Sequence, residues 1–225
     1  MNELELTGRA TSHVVAIEKL NCSLHVESVT SFLAMRDAAA REGIDLQSRS
    51  TFRDFDTQLL IWNRKWRGER ALLGRDGAPL DAATLSPGEK LDAILTWSAI
   101  PGGSRHHWGT EFDLMDSAAV PPGYQVQLVP AEYASDGVFA KLAAWLAVNA
   151  GRFGFFRPYR IDRGGVSPEP WHFSYAPVSM RALESLSLAM LRRVLEQSEI
   201  EGKSQVLARL PEIYTRFLLA IDLPA

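Results

Sequence analysis

One cysteine, Cys22, stands among 225 residues, so no disulfide can close within the chain. Its neighbours Asn21 and Ser23 offer the thiol no metal or redox partner, and it reads as structural filler. Charge of one sign is also missing. The 24 Lys+Arg against 27 Asp+Glu leave a net charge of -3, too small a field to gather nucleic acid or an anionic membrane surface. No apolar run approaches the roughly 18 residues that span a bilayer. The first residues, Met1-Asn-Glu-Leu-Glu-Leu6, are acidic where a secretory leader would be basic. As written the chain is therefore expected in the cytoplasm, or in the cell envelope if a leader has been removed. What is present is ordinary for a folded globular protein: 46% hydrophobic and 23% charged residues. A chain of this length buries roughly 70% of its unfolded surface without crosslinks.

Apolar spacing predicts a helix from Val29 to Ala40 with Ser28 as its cap and Gly43 as its stop, then a short strand from Ile44 to Ser50. A second helix is expected from Asp54 to Trp66, with Arg64, Lys65 and Arg67 complementing the dipole at its carboxyl end. Gly68 to Ala83 reads as an exposed excursion, and Ser86-Pro87 opens a third helix reaching about Ala99. Further strands are expected at Tyr124–Leu128, Phe153–Phe156 and Trp171–Tyr175, with a helix at Val138–Ala150. Helical periodicity marks the tail at Met180–Glu196 and Leu207–Ile221, which can pack on the sheet or form a dimer face. With no repeat and no long linker, one α+β domain spanning 1–225 is the economical reading: a motif core at about 48–176 and a helical tail at about 179–221.

Three of the five histidines, His106, His107 and His172, fall in the two densest polar and aromatic segments. A catalytic zinc site takes three nitrogen or oxygen ligands and keeps one position open. A His/Asp/His set from His106, Asp113 and His172 has that composition, and Glu169 is a carboxylate free to act as general base. His106 and Asp113 are seven residues apart, roughly 23 Å in a straight strand, so the chain must turn between them, and Trp108-Gly109 offers the turn. Pro170 rules out a regular central ladder between Glu169 and His172, which suits a loop entering a strand. The residues alone leave both His106 and His107 open as the first ligand.

Ser104-x-His106-x-x-Gly109-x-x-x-Asp113 followed by Glu169-Pro-Trp-His172 resembles the paired SxHxxGxxxD and ExWH motifs of the LAS metallopeptidases, which include the VanY-type D-alanyl-D-alanine carboxypeptidases. Ser50-Thr-Phe-Arg53 with Gln58 is similar to that family's upstream element, and the three pieces span about 125 residues. The resemblance implies a small antiparallel sheet carrying a zinc site, with helices around it. It implies His106, Asp113 and His172 as Zn2+ ligands, Glu169 as the base, Arg53 as the holder of the substrate or its oxyanion, and Ser104 and Gln58 as substrate contacts. Its spacing selects His106 over His107. The implied activity is hydrolysis of the terminal D-Ala-D-Ala bond of peptidoglycan precursor peptides. A peptidoglycan endopeptidase of the same fold and a non-catalytic wall-peptide binding module are the alternatives. Glu111 stands where that family usually has a small residue, and its role is open.

Overall fold

The computed structural model describes residues 1–224. In chain order the elements are α1 (Glu3–Leu6), β1 (Val14–Ile17), β2 (Cys22–His25), α2 (Val29–Arg41), β3 (Leu46–Ser50), α3 (Phe55–Trp66), β4 (Leu72–Leu73), β5 (Pro79–Leu80) and α4 (Pro87–Trp97). There follow β6 (Glu111–Asp116), α5 (Ala140–Asn149), β7 (Phe155–Phe156), β8 (His172–Tyr175), α6 (Ala176–Ser185), α7 (Leu188–Gln197) and α8 (Lys203–Ile213). The α+β class with small antiparallel sheets is as the sequence implies. The central sheet has strand order β3-β6-β8-β7, and each pairing is antiparallel.

Alternation along β6 separates the two faces of this sheet. Phe112 and Leu114 enter an apolar core with Phe32 of α2 and Leu142 of α5, and the Phe32 and Phe112 rings stack at 4.6 Å. Glu111 and Asp113 are left on the other face. A second core joins Trp62 of α3, Leu91 and Ile94 of α4, Trp108, and Val206 and Leu210 of α8. The tail thus packs on α3 and α4, and Trp62 Nε1 donates to the Glu201 carbonyl at 3.1 Å. Among the described residues no helix is long and apolar enough to cross a membrane.

Local capping chemistry set several boundaries. Asp54 accepts from the Thr57 N–H at the start of α3, and Ser86 with Glu89 forms a capping box ahead of Pro87. Ser28 does not cap α2. It lies in a 3-10 turn with helical angles and its hydroxyl donates to the His25 carbonyl. The strand expected at Tyr124–Leu128 is absent, because the Glu132 carboxylate takes the Gln127 and Val129 N–H groups that a ladder would need. The tail helix expected from Met180 to Glu196 is two helices, since Leu186 turns extended and Ser187 caps α7 through the Met190 N–H. The last helix starts earlier than expected, at Lys203, and passes into a π-helical turn at Tyr214–Leu219. The excursion at 68–83 is largely exposed as expected but contains the β4–β5 hairpin.

Candidate metal centre and cleft

Asp113 and His172 are register partners on β6 and β8, so their side chains rise together from the polar face of the sheet. His106 reaches the same point by a reversal. Arg105–Trp108 form a 3-10 turn that ends at Gly109 in the left-handed region, φ 66°. A Cβ at Gly109 would meet the His25 backbone N at 2.7 Å, so β2 can approach only a glycine. The result is that ligand-type atoms of His106, Asp113 and His172 lie within 4.8 Å of one another. His106 Nε2 is 3.6 Å from Asp113 Oδ2, and His172 Nδ1 is 3.1 Å from Asp113 Oδ1. The two imidazoles meet edge-on, with centroids 5.1 Å apart.

Each imidazole has its other nitrogen engaged. His106 Nδ1 lies 2.7 Å from the Thr51 carbonyl, which can only accept, so that nitrogen carries the hydrogen and Nε2 has its lone pair free. His172 Nε2 lies 2.8 Å from Glu111 Oε2, which directs Nδ1 toward Asp113. Burial brings His106 down to about 4, so its ring stays neutral and able to ligate. Burial also pulls on His172, but hydrogen bonds to Asp113 and Glu111 outweigh it and lift the ring to about 10. Two imidazole nitrogens and a carboxylate oxygen, with the histidines oriented from behind, are a donor set that fits zinc.

Glu111, whose role the sequence left open, is fully buried on the sheet opposite Ser174. Its Oε1 accepts from Ser174 Oγ at 2.7 Å and Thr110 Oγ1 at 3.0 Å, and the Arg105 guanidinium stands 3.3 Å away. Burial would raise this carboxyl, but Arg105 and the His172 hydrogen bond win and hold it at about 2. Glu111 is a carboxylate aimed at the back of His172. An exposed-surface role is ruled out.

Glu169 comes from the loop before β8. Its N–H donates to the Tyr159 carbonyl, and Oε2 lies 3.4 Å from His172 Nδ1. Burial lifts its carboxyl to about 7, with His172 opposing and Asp113 adding to the rise. Arg53 lies between β3 and α3, with one guanidinium nitrogen donating to Gln58 Oε1 at 2.7 Å and the other to Ser50 Oγ at 2.9 Å. Gln58 is fully buried behind Arg53 and also donates to the Ala99 carbonyl. It is not among the residues lining the cleft, and its contact in this structure is with Arg53. Ser104 does line the cleft. His107 is excluded from the centre, since Nδ1 meets the Arg53 carbonyl at 2.6 Å and Nε2 accepts from the Gly102 N–H.

The cleft above these residues has a volume of about 450 Å³. Its lining includes Ala71 and Leu73 of the hairpin arm and Val166 of the loop beyond β7. Arg75 clasps the two arms, reaching Asp162 Oδ1 and Oδ2 at 3.1 Å and the Gly165 carbonyl at 2.8 Å. Lys65, expected to complement the α3 dipole, also lines this cleft. Nothing in its local sequence separated it from Arg64 and Arg67, because its inward direction is fixed by the packing of α3 on α4.

The family described as VanY, D-alanyl-D-alanine carboxypeptidase, matches residues 21–178. A Haemophilus influenzae protein described as uncharacterised is 34% identical over 127 residues, 56% of this chain and 97% of that protein. A D-alanyl-D-alanine carboxypeptidase of Enterococcus faecalis is 34% identical over 86 residues, 37% of this chain and 26% of that enzyme. Among solved structures, VanYB in complex with D-alanine-D-alanine matches with a TM-score of 0.53 at 20% identity, over 82% of this chain and 89% of its own. A VanY D,D-pentapeptidase from a VanB-type cassette in complex with Zn(II) gives 0.52 at 20% identity and 92% of each chain. The LdcB LD-carboxypeptidase gives 0.52 at 19% identity, over 86% of this chain and 76% of its own. At these identities the structural likenesses are likenesses of fold.

Proposed function

The chain belongs to the VanY D-alanyl-D-alanine carboxypeptidase family, and on that premise we propose that it is a zinc-dependent D,D-carboxypeptidase cleaving the terminal D-Ala-D-Ala bond of peptidoglycan precursor peptides. The observation that carries the reading is the placement of Glu169 Oε2 3.4 Å from His172 Nδ1, beside but outside the His106/Asp113/His172 donor set. In this reading His106 Nε2, an Asp113 oxygen and His172 Nδ1 would hold Zn2+. A zinc ion there would supply Lewis acidity toward the scissile carbonyl and toward water near neutral pH.

The protein's own groups do the remaining work. Glu169 takes the proton of the attacking water on its carboxylate and returns it to the leaving amine. Its elevated pKa suits both halves of that task near neutrality. Arg53 has five N–H donors and spends two on Gln58 and Ser50, so it is fixed in place with donors left for the developing oxyanion. Ser104, at the cleft wall, contacts the substrate backbone. Burial of all three carboxylates and both imidazoles keeps competing water out and strengthens these interactions.

Incubating zinc-loaded protein with a stem pentapeptide and weighing the products tests the reading. Loss of one alanine is the expected result. Release of a larger fragment would make it an endopeptidase, and unchanged pentapeptide would make it a binder.

A further inference from the structure

His107 is no ligand and takes no part in the reaction above, yet its ring is fully buried beside the centre with both nitrogens engaged. Nδ1 lies 2.6 Å from the Arg53 carbonyl, which can only accept, and Nε2 accepts from the Gly102 N–H at 3.0 Å. The ring is therefore neutral and held in one tautomer. Gly8, at φ 75°, packs against it, and a Cβ there would stand 2.6 Å from His107 Cγ. The His107 carbonyl in turn accepts from His13 Nε2 at 2.8 Å.

Residues 51–54, between β3 and α3, have no regular secondary structure, so neither a ladder nor a helix holds their backbone. One bond from the Phe52 N–H to the Ser23 carbonyl and the His106–His107 turn do so instead. The Thr51 carbonyl accepts from His106 Nδ1 at 2.7 Å, and the Arg53 N–H donates to the His106 carbonyl at 3.0 Å. With its own carbonyl on His107, Arg53 is held at both backbone groups by consecutive residues, the first of which belongs to the donor set. Its guanidinium is pinned separately, by Gln58 and Ser50. The His107 ring also fixes the approach to Ser104, since Nε2 holds the Gly102 N–H and the His107 N–H donates to the Ser104 carbonyl at 3.1 Å. A preorganised donor stabilises developing charge only from the right place, and a misplacement of about 1 Å can cost about 100-fold in rate.

We infer that His107 is a positioning residue: through the Arg53 carbonyl it sets where the guanidinium stands relative to His106, and so how well that guanidinium meets the oxyanion. This rests on the peptidase reading, in which Arg53 receives that charge. A neutral imidazole suits the task because it carries one donor and one acceptor on a rigid ring, and glutamine offers the same pair from one amide.

The experiment compares zinc-loaded wild type, His107→Gln and His107→Leu on an N-acylated peptide ending in D-Ala-D-Ala, each also combined with Arg53→Ala. His107→Leu should lower kcat by about 10- to 100-fold, with KM and zinc per chain as in wild type, and His107→Gln should recover most of the loss. Affinity for a phosphinate analogue of the peptide, which presents tetrahedral charge, should fall along with kcat. In the Arg53→Ala background the leucine substitution should remove little more, because both changes act through one guanidinium. His107→Met, which also lacks the donor and the acceptor, replaces the leucine variant if that one does not fold. A loss of full size in the Arg53→Ala background, loss of zinc, a glutamine variant as slow as the leucine one, or wild-type kcat in the leucine variant overturns the assignment and leaves the peptidase standing. Wild type that does not cleave the peptide removes the peptidase reading and this inference with it.

Discussion

Glu111 Oε2 and His172 Nε2 lie 2.8 Å apart, both buried, on neighbouring strands β6 and β8. The carboxylate fixes which imidazole nitrogen keeps its hydrogen and so which one faces Asp113. Removing such a partner typically costs about 10- to 100-fold in metal affinity. Glu111→Ala should lose zinc in that range in competition with a chromophoric chelator, and Glu111→Gln, which keeps an acceptor, should lose less. Equal zinc affinity in wild type and Glu111→Ala would show that the ring is oriented by packing alone.

Glu169→Ala should separate metal binding from turnover. Glu169 is not in the donor set, so zinc stoichiometry should remain that of wild type while kcat falls by about 10²–10⁴-fold, the usual contribution of a general base. Stoichiometry by elemental analysis and kcat by alanine release check the two halves. Loss of zinc along with activity would move Glu169 from base to ligand.

Gly109→Ala tests the reversal that brings His106 to Asp113. The substitution forces a side chain into φ 66° and against the His25 backbone, so a loss of about 1–3 kcal/mol is expected in denaturant unfolding. Zinc affinity should fall with it, because β2 cannot move away without shifting the His106 turn. Unchanged stability would mean that β2 yields freely.

Asp222 ties the C-terminal segment to the loop carrying Tyr159. It accepts from the Arg160 and Ile161 N–H groups and from Arg163 at 2.7 Å, with its side chain 3% exposed. Burial would raise its carboxyl, but Arg163 and the backbone donors outweigh that and hold it below the ordinary aspartate range. Its stabilisation is therefore complete above the unfolded pKa near ~4 and disappears as pH falls through the lower folded value. Asp222→Asn should cost about 2 kcal/mol at pH 7, with the gap from wild type narrowing below about pH 4. A gap that is constant from pH 7 to pH 3 would contradict a role for the charge.

Features written in short stretches of sequence were legible before the fold. The Asp54 cap, the Ser86-Pro87 start and the Trp108-Gly109 turn each depend on neighbours within a few residues. The donor set was legible because its residue types and spacing are specific, and the strand register then placed Asp113 opposite His172. Elements decided by distant partners were not. Tyr124–Leu128 alternates like a strand, yet its donors go to Glu132 and no neighbouring strand meets it. Glu111 gained its role from Ser174 and His172, more than sixty residues away. Lys65 reads as one of three basic residues at a helix end, and only its contact with Ser98, the residue that follows α4, separates it from the others.

The most direct test is anomalous diffraction at the zinc edge from crystals grown with the metal. One strong peak should lie between His106 Nε2, an Asp113 oxygen and His172 Nδ1, at about 2.0–2.2 Å from each, with Glu169 outside bonding distance. A peak bound through His107 or through His172 Nε2, or no peak among these three side chains in a crystal saturated with zinc, would contradict the assignment.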